Sequence, residues 1–133
     1  MDSEIIKERS KRILSELRKK YPLAKTYDMS QIGEHFVCEI EPVGDHPEYD
    51  RAIEVIIKSK PHKHLKMIQR YNIIKGTLEL HDGGKTVILK TGDKYTINPG
   101  NVHWAKSENE CWVEIYSTRK FRLNSGVNSV KRF

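Results

Sequence analysis

The sequence predicts an all-β protein, a double-stranded β-helix or jelly-roll barrel, preceded by one amphipathic α-helix. Hydrophobic residues repeat with a period of two from residue 34 onward, and turn-forming Gly, Pro and Asp residues interrupt that region at short intervals. The first twenty residues follow a helical period instead. Many short antiparallel strands fit a closed barrel better than an open sheet, whose edges would be exposed.

The helix is the first element, predicted to begin with Ser3 as its cap and to run to about Tyr21, where Pro22 closes it. Apolar residues lie along it near a 3.6-residue period: Ile5, Ile6, Ile13, Leu14 and Leu17. We expect this stripe to pack on the barrel or on a second subunit, since an apolar face of this width is rarely left in water.

Strands follow the helix at short intervals. Those we predict span residues 35–40, 52–59, 62–64, 68–75, 77–81, 86–90, 94–97, 103–107 and 112–117. The polar loop at residues 46–50 either covers the barrel mouth or is a turn without a ligand role. We therefore divide the chain into a helix with its connector (1–33), a barrel (34–118) and a basic accessory tail (119–133).

The net charge of +6 is concentrated at the two ends of the chain. Residues 1–20 hold seven Lys or Arg against four Asp or Glu, and residues 119–133 hold five basic residues and no acidic one. The region between them has no basic stripe interleaved with aromatic residues, so we expect no nucleic-acid partner. Without a signal peptide or an apolar spanning segment, the expected location is the cytoplasm and no membrane partner is expected.

Three histidines are placed where a metal ion could be bound. His62 and His64 lie two residues apart, so on a strand both imidazoles project from one face, and His103 begins a later strand. Neutral imidazole is a common ligand of Zn, Cu, Fe and Ni. We expect the ring nitrogens to lie within about 4 Å of one another or of a common centre, as ligation at ~2.1 Å requires.

The spacing around these histidines resembles the two motifs of the cupin superfamily, over roughly residues 34–118. The first motif, H-x-H, four residues, Glu, six residues, Gly, corresponds to His62, His64, Gln69 and Gly76. The second, Gly, five residues, Pro-x-Gly, two residues, His, corresponds to residues 92–103. Two motifs in order are far more specific than either alone, and they imply a cupin barrel with a bound divalent metal, Zn, Mn, Fe or Ni.

Gln69 is the most important departure from the family pattern, because it stands where the metal-binding Glu is expected. The resemblance implies His62, His64, Gln69 and His103 as the metal ligands. A neutral amide can ligate through its oxygen, but it neither offsets the charge of a cation nor acts as a carboxylate base.

By the resemblance, metal and substrate lie on the inner face of the barrel. Tyr71 shares the alternation parity of Gln69, so we expect it to point inward and to serve as a substrate-binding or catalytic hydroxyl; a core aromatic is the alternative. Lys75 has the same parity at the end of its strand and is the second candidate for substrate binding, against simple solvent exposure.

Among cupins, the chain looks most like small phosphomannose-isomerase-like proteins, which implies a sugar phosphate and proton transfer next to a metal-polarised carbonyl. The sequence does not identify the base for this proton transfer. Glu54, Glu79 and Glu114 lie on predicted strands, but the sequence does not show whether they point into the barrel. The alternatives are an Fe-dependent dioxygenase and a non-catalytic barrel that binds or senses a small molecule. The sequence does not decide whether the protein is an enzyme. We also expect a homodimer, because sheet edges and apolar surface would otherwise be exposed.

Overall fold

The computed structural model describes residues 2–42 and 48–118, and it has the predicted architecture of one helix followed by an antiparallel β barrel. The elements are α1 (Ser3–Lys20), β1 (Lys25–Asp28), β2 (His35–Glu41), β3 (Tyr49–Lys58), β4 (Ile68–Lys75), β5 (Thr77–Asp82), β6 (Lys85–Lys90), β7 (Lys94–Ile97) and β8 (His103–Thr118). The predicted tail at 119–133 and residues 46 and 47 of the predicted loop lie outside the described residues, whereas Tyr49 and Asp50 of that loop begin β3.

The strands form one sheet in the order β1-β2-β3-β8-β4-β7, with β5 pairing both β6 and β8. Strand β8 is the centre of this arrangement. Its first residues pair with β5, and its second half pairs with β3 on one side and with β4 on the other. One long strand therefore pairs directly with three others, β3, β4 and β5.

Some predicted element boundaries were wrong. Strand β1 was not predicted, and the two strands expected at 103–107 and 112–117 are the single strand β8. The segment 62–64 is not a strand, and only one isolated bridge joins His62 to His103. The helix cap is Asp2 rather than Ser3, and the Asp2 carboxylate accepts the Glu4 amide hydrogen at 2.8 Å.

Helix α1 packs its apolar stripe on the outer face of β2 and β3. Ile13 and Leu17 are fully buried there, against an outer cluster that also contains Phe36, Cys38, Ile53, Val55 and Trp112. The connector approaches the helix closely at Gly33, whose φ of +78° and distance of 2.6 Å from an added Cβ to Ile6 leave no room for a side chain. The expected packing of the helix on the barrel is what the structure shows.

The opposite face of the same strands points into the barrel. Leu78, Leu80, Ala105 and Val113 are fully buried in the inner core. Cys38 lies on the outer face and Cys111 on the inner one, and both are buried free thiols. Because side chains alternate along β2 and β3, the residues between the helix contacts face the barrel interior, where the candidate site lies.

Within the described residues, no helix has both the length and the apolar character needed to cross a membrane.

Candidate metal centre

Backbone hydrogen bonds bring the three predicted histidines together. The amide of His62 donates to the carbonyl of His103 at 3.0 Å, and the amide of His103 donates back to the carbonyl of His62 at 2.8 Å. The carbonyl of His64 accepts from the Gly100 amide at 2.8 Å, in the turn that leads into β8. The segment carrying His62 and His64 is therefore fixed on β8 by main-chain contacts, although it is not a strand.

The three imidazole rings form one cluster. Ring centroids are 4.2 Å apart for His62 and His103, 5.1 Å for His62 and His64, and 5.5 Å for His64 and His103. One ligand nitrogen from each ring lies within 4.8 Å of the others. Three atoms this close to one another all lie within 4 Å of a common centre, as we expected from the sequence. Two ligands at ~2.1 Å from one ion lie at most about 4.2 Å apart, so the cluster is close to ligation geometry.

Hydrogen bonds at Nδ1 orient two of these rings. His62 Nδ1 donates to the Lys60 carbonyl at 2.8 Å, and His103 Nδ1 donates to the Asn101 carbonyl at 3.3 Å. With the proton on Nδ1, the lone pair lies on Nε2, the atom left for a metal. Nε2 of His103 is buried and has no hydrogen-bond partner among the described residues.

His103 is suited to ligation because it is held neutral. Burial, followed by electrostatic repulsion between His103 and His62, lowers the pKa of His103 to about 4. A buried imidazole in this environment is unprotonated at neutral pH, which is the form that binds metals.

Gln69 on β4 is buried and lines the same cavity as His62 and His64. Its amide nitrogen donates to the Ser117 hydroxyl at 3.2 Å, and this bond leaves Oε1 as the free end of the amide. Oε1 is buried without a hydrogen-bond partner among the residues described. A buried acceptor left unsatisfied costs roughly 1–3 kcal/mol, so an electrophile or donor is expected to meet it when the site is filled.

These groups fit a divalent metal ion. The donor set is three neutral imidazoles with an amide oxygen nearby, and two of its atoms, His103 Nε2 and Gln69 Oε1, are otherwise orphaned in the described structure. Imidazole-rich sets suit Zn, Fe, Ni and Cu, so the identity of the metal is left open.

The cluster opens on a cavity of about 790 Å³ inside the barrel. His62, His64, Gln69 and Tyr71 line this cavity, so the structure brings four of the predicted site residues together there. His103 lies behind them in the wall, buried. The volume is enough for a small metabolite bound next to the metal ligands.

Lys75 is not part of this cavity. A register shift between Ile73 and Lys75 in the pairing of β4 with β8 breaks the alternation that predicted an inward side chain. Lys75 is exposed, and its ammonium group lies 5.3 Å from the centre of the Trp112 ring on the outer face.

Tyr71 faces the cavity and is buried. Burial raises the pKa of its hydroxyl, and the nearby carboxylates of Glu54 and Asp82 raise it further. The phenol is therefore held protonated over the physiological pH range and is available as a hydrogen-bond donor to a ligand.

One acid–base pair in the cavity was missed by the sequence analysis. His35 on β2 and Glu54 on β3 both line the cavity, and Nε2 of His35 lies 2.6 Å from Oε1 of Glu54. The two residues are diagonal neighbours, because Glu54 is paired with Val37. Side chains alternate between the two faces of β2 and β3, and this alternation could have indicated that His35 and Glu54 share a face. Which of the two faces points into the barrel depends on where the helix packs, and the sequence alone does not show that.

The other two carboxylates considered for the base lie elsewhere. Glu79 accepts from His81 and Lys106, and Glu114 accepts from Arg51 and Asn72. Neither lines the cavity. Trp104 stacks on His81 with ring centroids 4.0 Å apart.

Charged residues at the wider part of the cavity are mainly acidic. The lining includes the carboxylates of Glu34, Glu39, Glu41, Asp50 and Glu54, and the cations Arg51, Lys58 and Lys60. Arg51 is already held by Glu41 and Glu114 at 3.2 and 2.6 Å. Five carboxylates and three cations thus line the cavity, and several of them are already paired: Glu41 with Arg51, Glu39 with the Tyr27 hydroxyl and Glu54 with His35.

The barrel is similar to a known protein family. Residues 54–116 match the family described as Cupin domain, and this range includes all four predicted metal-ligand positions. No curated protein matches the sequence.

Solved structures have the same fold at low sequence identity. KdgF from Halomonas sp. superposes with a TM-score of 0.62 at 16% identity, covering 72% of this chain and 86% of that one. A predicted oxalate decarboxylase from Thermotoga maritima gives 0.63 at 20% identity, covering 73% and 92%. The Fe(II) form of HppE gives 0.65 at 8% identity, with 72% of this chain matching 57% of that one. The family match over residues 54–116, the fold and the histidine cluster together support the cupin superfamily for this chain.

Proposed function

We propose that this protein is a metal-dependent enzyme of isomerase type, which moves a proton next to the carbonyl of a small polar metabolite. One observation carries the proposal: the three-histidine cluster opens on a cavity whose wall also holds Gln69 and the protonated hydroxyl of Tyr71. Metal ligands and a proton-bearing group in one cavity are what such a reaction needs.

The residues of the chain have separate tasks in this proposal. His62, His64 and His103 hold the ion through Nε2, with Gln69 Oε1 as the fourth donor. A bound divalent ion supplies Lewis-acid polarisation of the substrate carbonyl. Tyr71 donates a hydrogen bond to a substrate oxygen, which stabilises the negative charge that develops when the adjacent carbon is deprotonated.

We propose a sugar or sugar acid without a phosphate group as the substrate. The sugar phosphate implied by phosphomannose-isomerase-like cupins carries about two negative charges and would face the five lining carboxylates. Lys58 and Lys60 line the cavity, are exposed, and can pair with the single carboxylate of a sugar acid. We therefore propose that this protein shares the type of reaction, but not the phosphorylated substrate, with phosphomannose-isomerase-like cupins.

An Fe-dependent dioxygenase is the second candidate. The observation that favours it is the donor set itself, since three imidazoles without a carboxylate leave positions open for substrate and oxygen. The Fe(II) form of HppE has the same fold. A barrel that binds or senses a small molecule without converting it is the third.

Metal analysis combined with two activity measurements separates these functions. Protein purified without a His-tag or chelator is analysed for Zn, Mn, Fe and Ni. It is then incubated in D2O with aldoses, ketoses and sugar acids, while proton exchange is followed by NMR and oxygen by an electrode. We expect metal-dependent exchange at the carbon next to the carbonyl, without oxygen uptake.

Matched histidine variants complete the test. His103→Ala should lose the metal and the exchange together, whereas His81→Ala, which removes a histidine outside the cavity, should keep both. Oxygen uptake dependent on Fe would favour the dioxygenase. Ligand binding without exchange or oxygen uptake would favour the non-catalytic barrel.

A further inference from the structure

We propose that His35 and Glu54 are the proton-transfer pair of the cavity, with His35 as the base and Glu54 as the residue that positions it. The inference rests on the proposed function and supplies the base that the metal-ligand motif, with Gln69 in place of Glu, does not contain.

The position of the pair carries the proposal. His35 and Glu54 come from neighbouring strands on the cavity side of the barrel wall, and both line the space that His62, His64 and Tyr71 also line. The side chains are 9% and 15% exposed, so the pair is largely shielded from bulk water while it remains open to the cavity. The Glu54 carboxylate is also close enough to Tyr71 to raise the pKa of its hydroxyl, which places the pair near the proposed hydrogen-bond donor.

The orientation of the imidazole fits a base. Nε2 of His35 contacts Glu54 Oε1 at 2.6 Å, and among residues 2–42 and 48–118 the structure gives Nδ1 no hydrogen-bond partner. With the Nε2 proton donated to Glu54, the lone pair lies on Nδ1. A carboxylate in this position fixes the tautomer and stabilises the imidazolium formed when the base takes a proton.

The step balances without an oxidant or reductant. The C–H bond next to the substrate carbonyl breaks, its proton binds Nδ1 of His35, and its electron pair forms the C=C bond of an enolate as the carbonyl pair moves to oxygen. Return of the proton from Nδ1 to carbon restores a carbonyl compound. In D2O the proton on Nδ1 exchanges with solvent, so deuterium appears in the substrate.

A second His–Glu pair in the same barrel provides a matched control. Nε2 of His81 lies 2.7 Å from Oε2 of Glu79, nearly the same contact as in the proposed pair. His81 stacks on Trp104, and neither His81 nor Glu79 lines the main cavity. If any close His–Glu pair affected the barrel equally, the two pairs would respond alike to substitution.

The experiment measures deuterium incorporation into whichever aldose, ketose or sugar acid of the panel exchanges fastest with the metal-loaded wild-type protein. We expect His35→Ala to slow the exchange by about 100-fold or more, the usual contribution of a general base. Added imidazole should restore part of the rate, because it fits the space left by the side chain. Glu54→Gln, nearly isosteric, should lower kcat at least about tenfold with little change in KM, and Glu54→Asp should recover part of kcat.

Metal content and melting temperature are measured for every variant, and His81→Ala should match the wild-type exchange rate. Wild-type exchange in His35→Ala, or loss of exchange that imidazole does not restore and that accompanies loss of metal, would overturn the pair and leave the proposed function standing. Absence of exchange in the wild-type protein with every compound would overturn the proposed function, and the pair with it.

Discussion

At the scale of a single residue, we propose that Gln69 sets the charge of the candidate metal centre. Its amide nitrogen is tied to Ser117, and its buried oxygen has no partner among the described residues. With three neutral imidazoles and an amide as donors, a divalent ion keeps its full charge inside the barrel. Anionic substrate groups or hydroxide are then drawn to the open positions.

Gln69→Glu should therefore act in opposite directions on metal and ligand. We expect tighter binding of divalent metal and weaker binding of an anionic ligand, each by about 1–3 kcal/mol, because the new carboxylate attracts the cation and repels the anion. Calorimetric titration of both proteins with metal, then with a sugar acid, measures the two effects. Gln31→Glu is the control, since Gln31 is exposed and does not line the cavity. Unchanged affinities in Gln69→Glu would place the residue outside the ligand set.

Residue spacing predicted the metal cluster but not the acid–base pair. His62, His64 and His103 belong to motifs whose spacing can be read directly along the chain. His35 and Glu54 are 19 residues apart and meet only through the antiparallel register of β2 and β3. For Lys75 the sequence predicted a cavity residue that the structure does not place there. Strict alternation along β4 predicts an inward side chain, but a register shift near the end of the strand turns Lys75 outward.

Helix α1 contributes to stability at the scale of an element, through the side chains that it buries on β2 and β3. Leu17→Ala should lower the free energy of unfolding by about 2–5 kcal/mol, because Leu17 is fully buried and the substitution leaves a cavity. Denaturation by urea measures the change. Leu23→Ala is the control, since Leu23 is 100% exposed and should change little. Similar losses in both variants would mean that helix packing is not what Leu17 contributes.

The helix is also joined to β8 by an ion pair between Arg12 and Glu110. Burial tends to raise the pKa of Glu110, but hydrogen bonds from Arg12 and Trp112 outweigh it, and the pKa is lowered from its ordinary value of 4.5. A carboxylate with a lowered pKa stabilises the fold above its unfolded-state pKa, and this contribution is lost as pH falls through the folded-state value.

Glu110→Gln should accordingly melt at a lower temperature than the wild type near pH 7, and the difference should shrink as the pH falls below 4.5. Melting curves from pH 7 to pH 3 measure it. Glu108→Gln, an exposed neighbour on β8, should follow the wild-type curve. A difference in melting temperature that does not depend on pH would remove the ion pair as its cause.

Two strands show where the local sequence pattern was insufficient to predict element boundaries. Strand β1 has no alternation of its own and is extended because Thr26 and Tyr27 pair with β2. Strand β8 was divided because the charged run from Ser107 to Glu110 has the composition of a turn, yet it continues through a shift in its pairing with β3. Pairing partners distant in sequence determined both strands, and a local window does not contain them.

At the scale of the whole molecule, we predict that the protein forms a homodimer. Within the described residues, β6 pairs with β5 alone, and Ile88 on β6 is 53% exposed. An edge strand with an exposed apolar residue favours pairing with a second copy. Sedimentation equilibrium should give twice the chain mass at micromolar concentration, and Ile88→Lys should shift it toward the monomer. A wild-type monomer at all concentrations would contradict the prediction.

The basic segment 119–133 is predicted to be accessory. A protein ending at Thr118 keeps every strand and all four proposed metal-ligand positions. We expect its metal content and melting temperature to equal those of the full chain, measured by elemental analysis and calorimetry. Loss of metal on truncation would assign the segment a part in the site.

The central position of β8 bears on how the protein forms during synthesis. Strands β3, β4 and β5 all require β8 as a partner, and His103 arrives with its first residue. When only the first hundred residues have been synthesised, β3, β4 and β5 lack β8 as a pairing partner. His62 and His64 then lack His103, the third histidine of the cluster. Closure therefore waits for contacts between distant parts of the chain, a circumstance that slows folding and leaves unpaired strands exposed to other nascent chains. The three-histidine cluster and the barrel are therefore completed by the same late strand, β8.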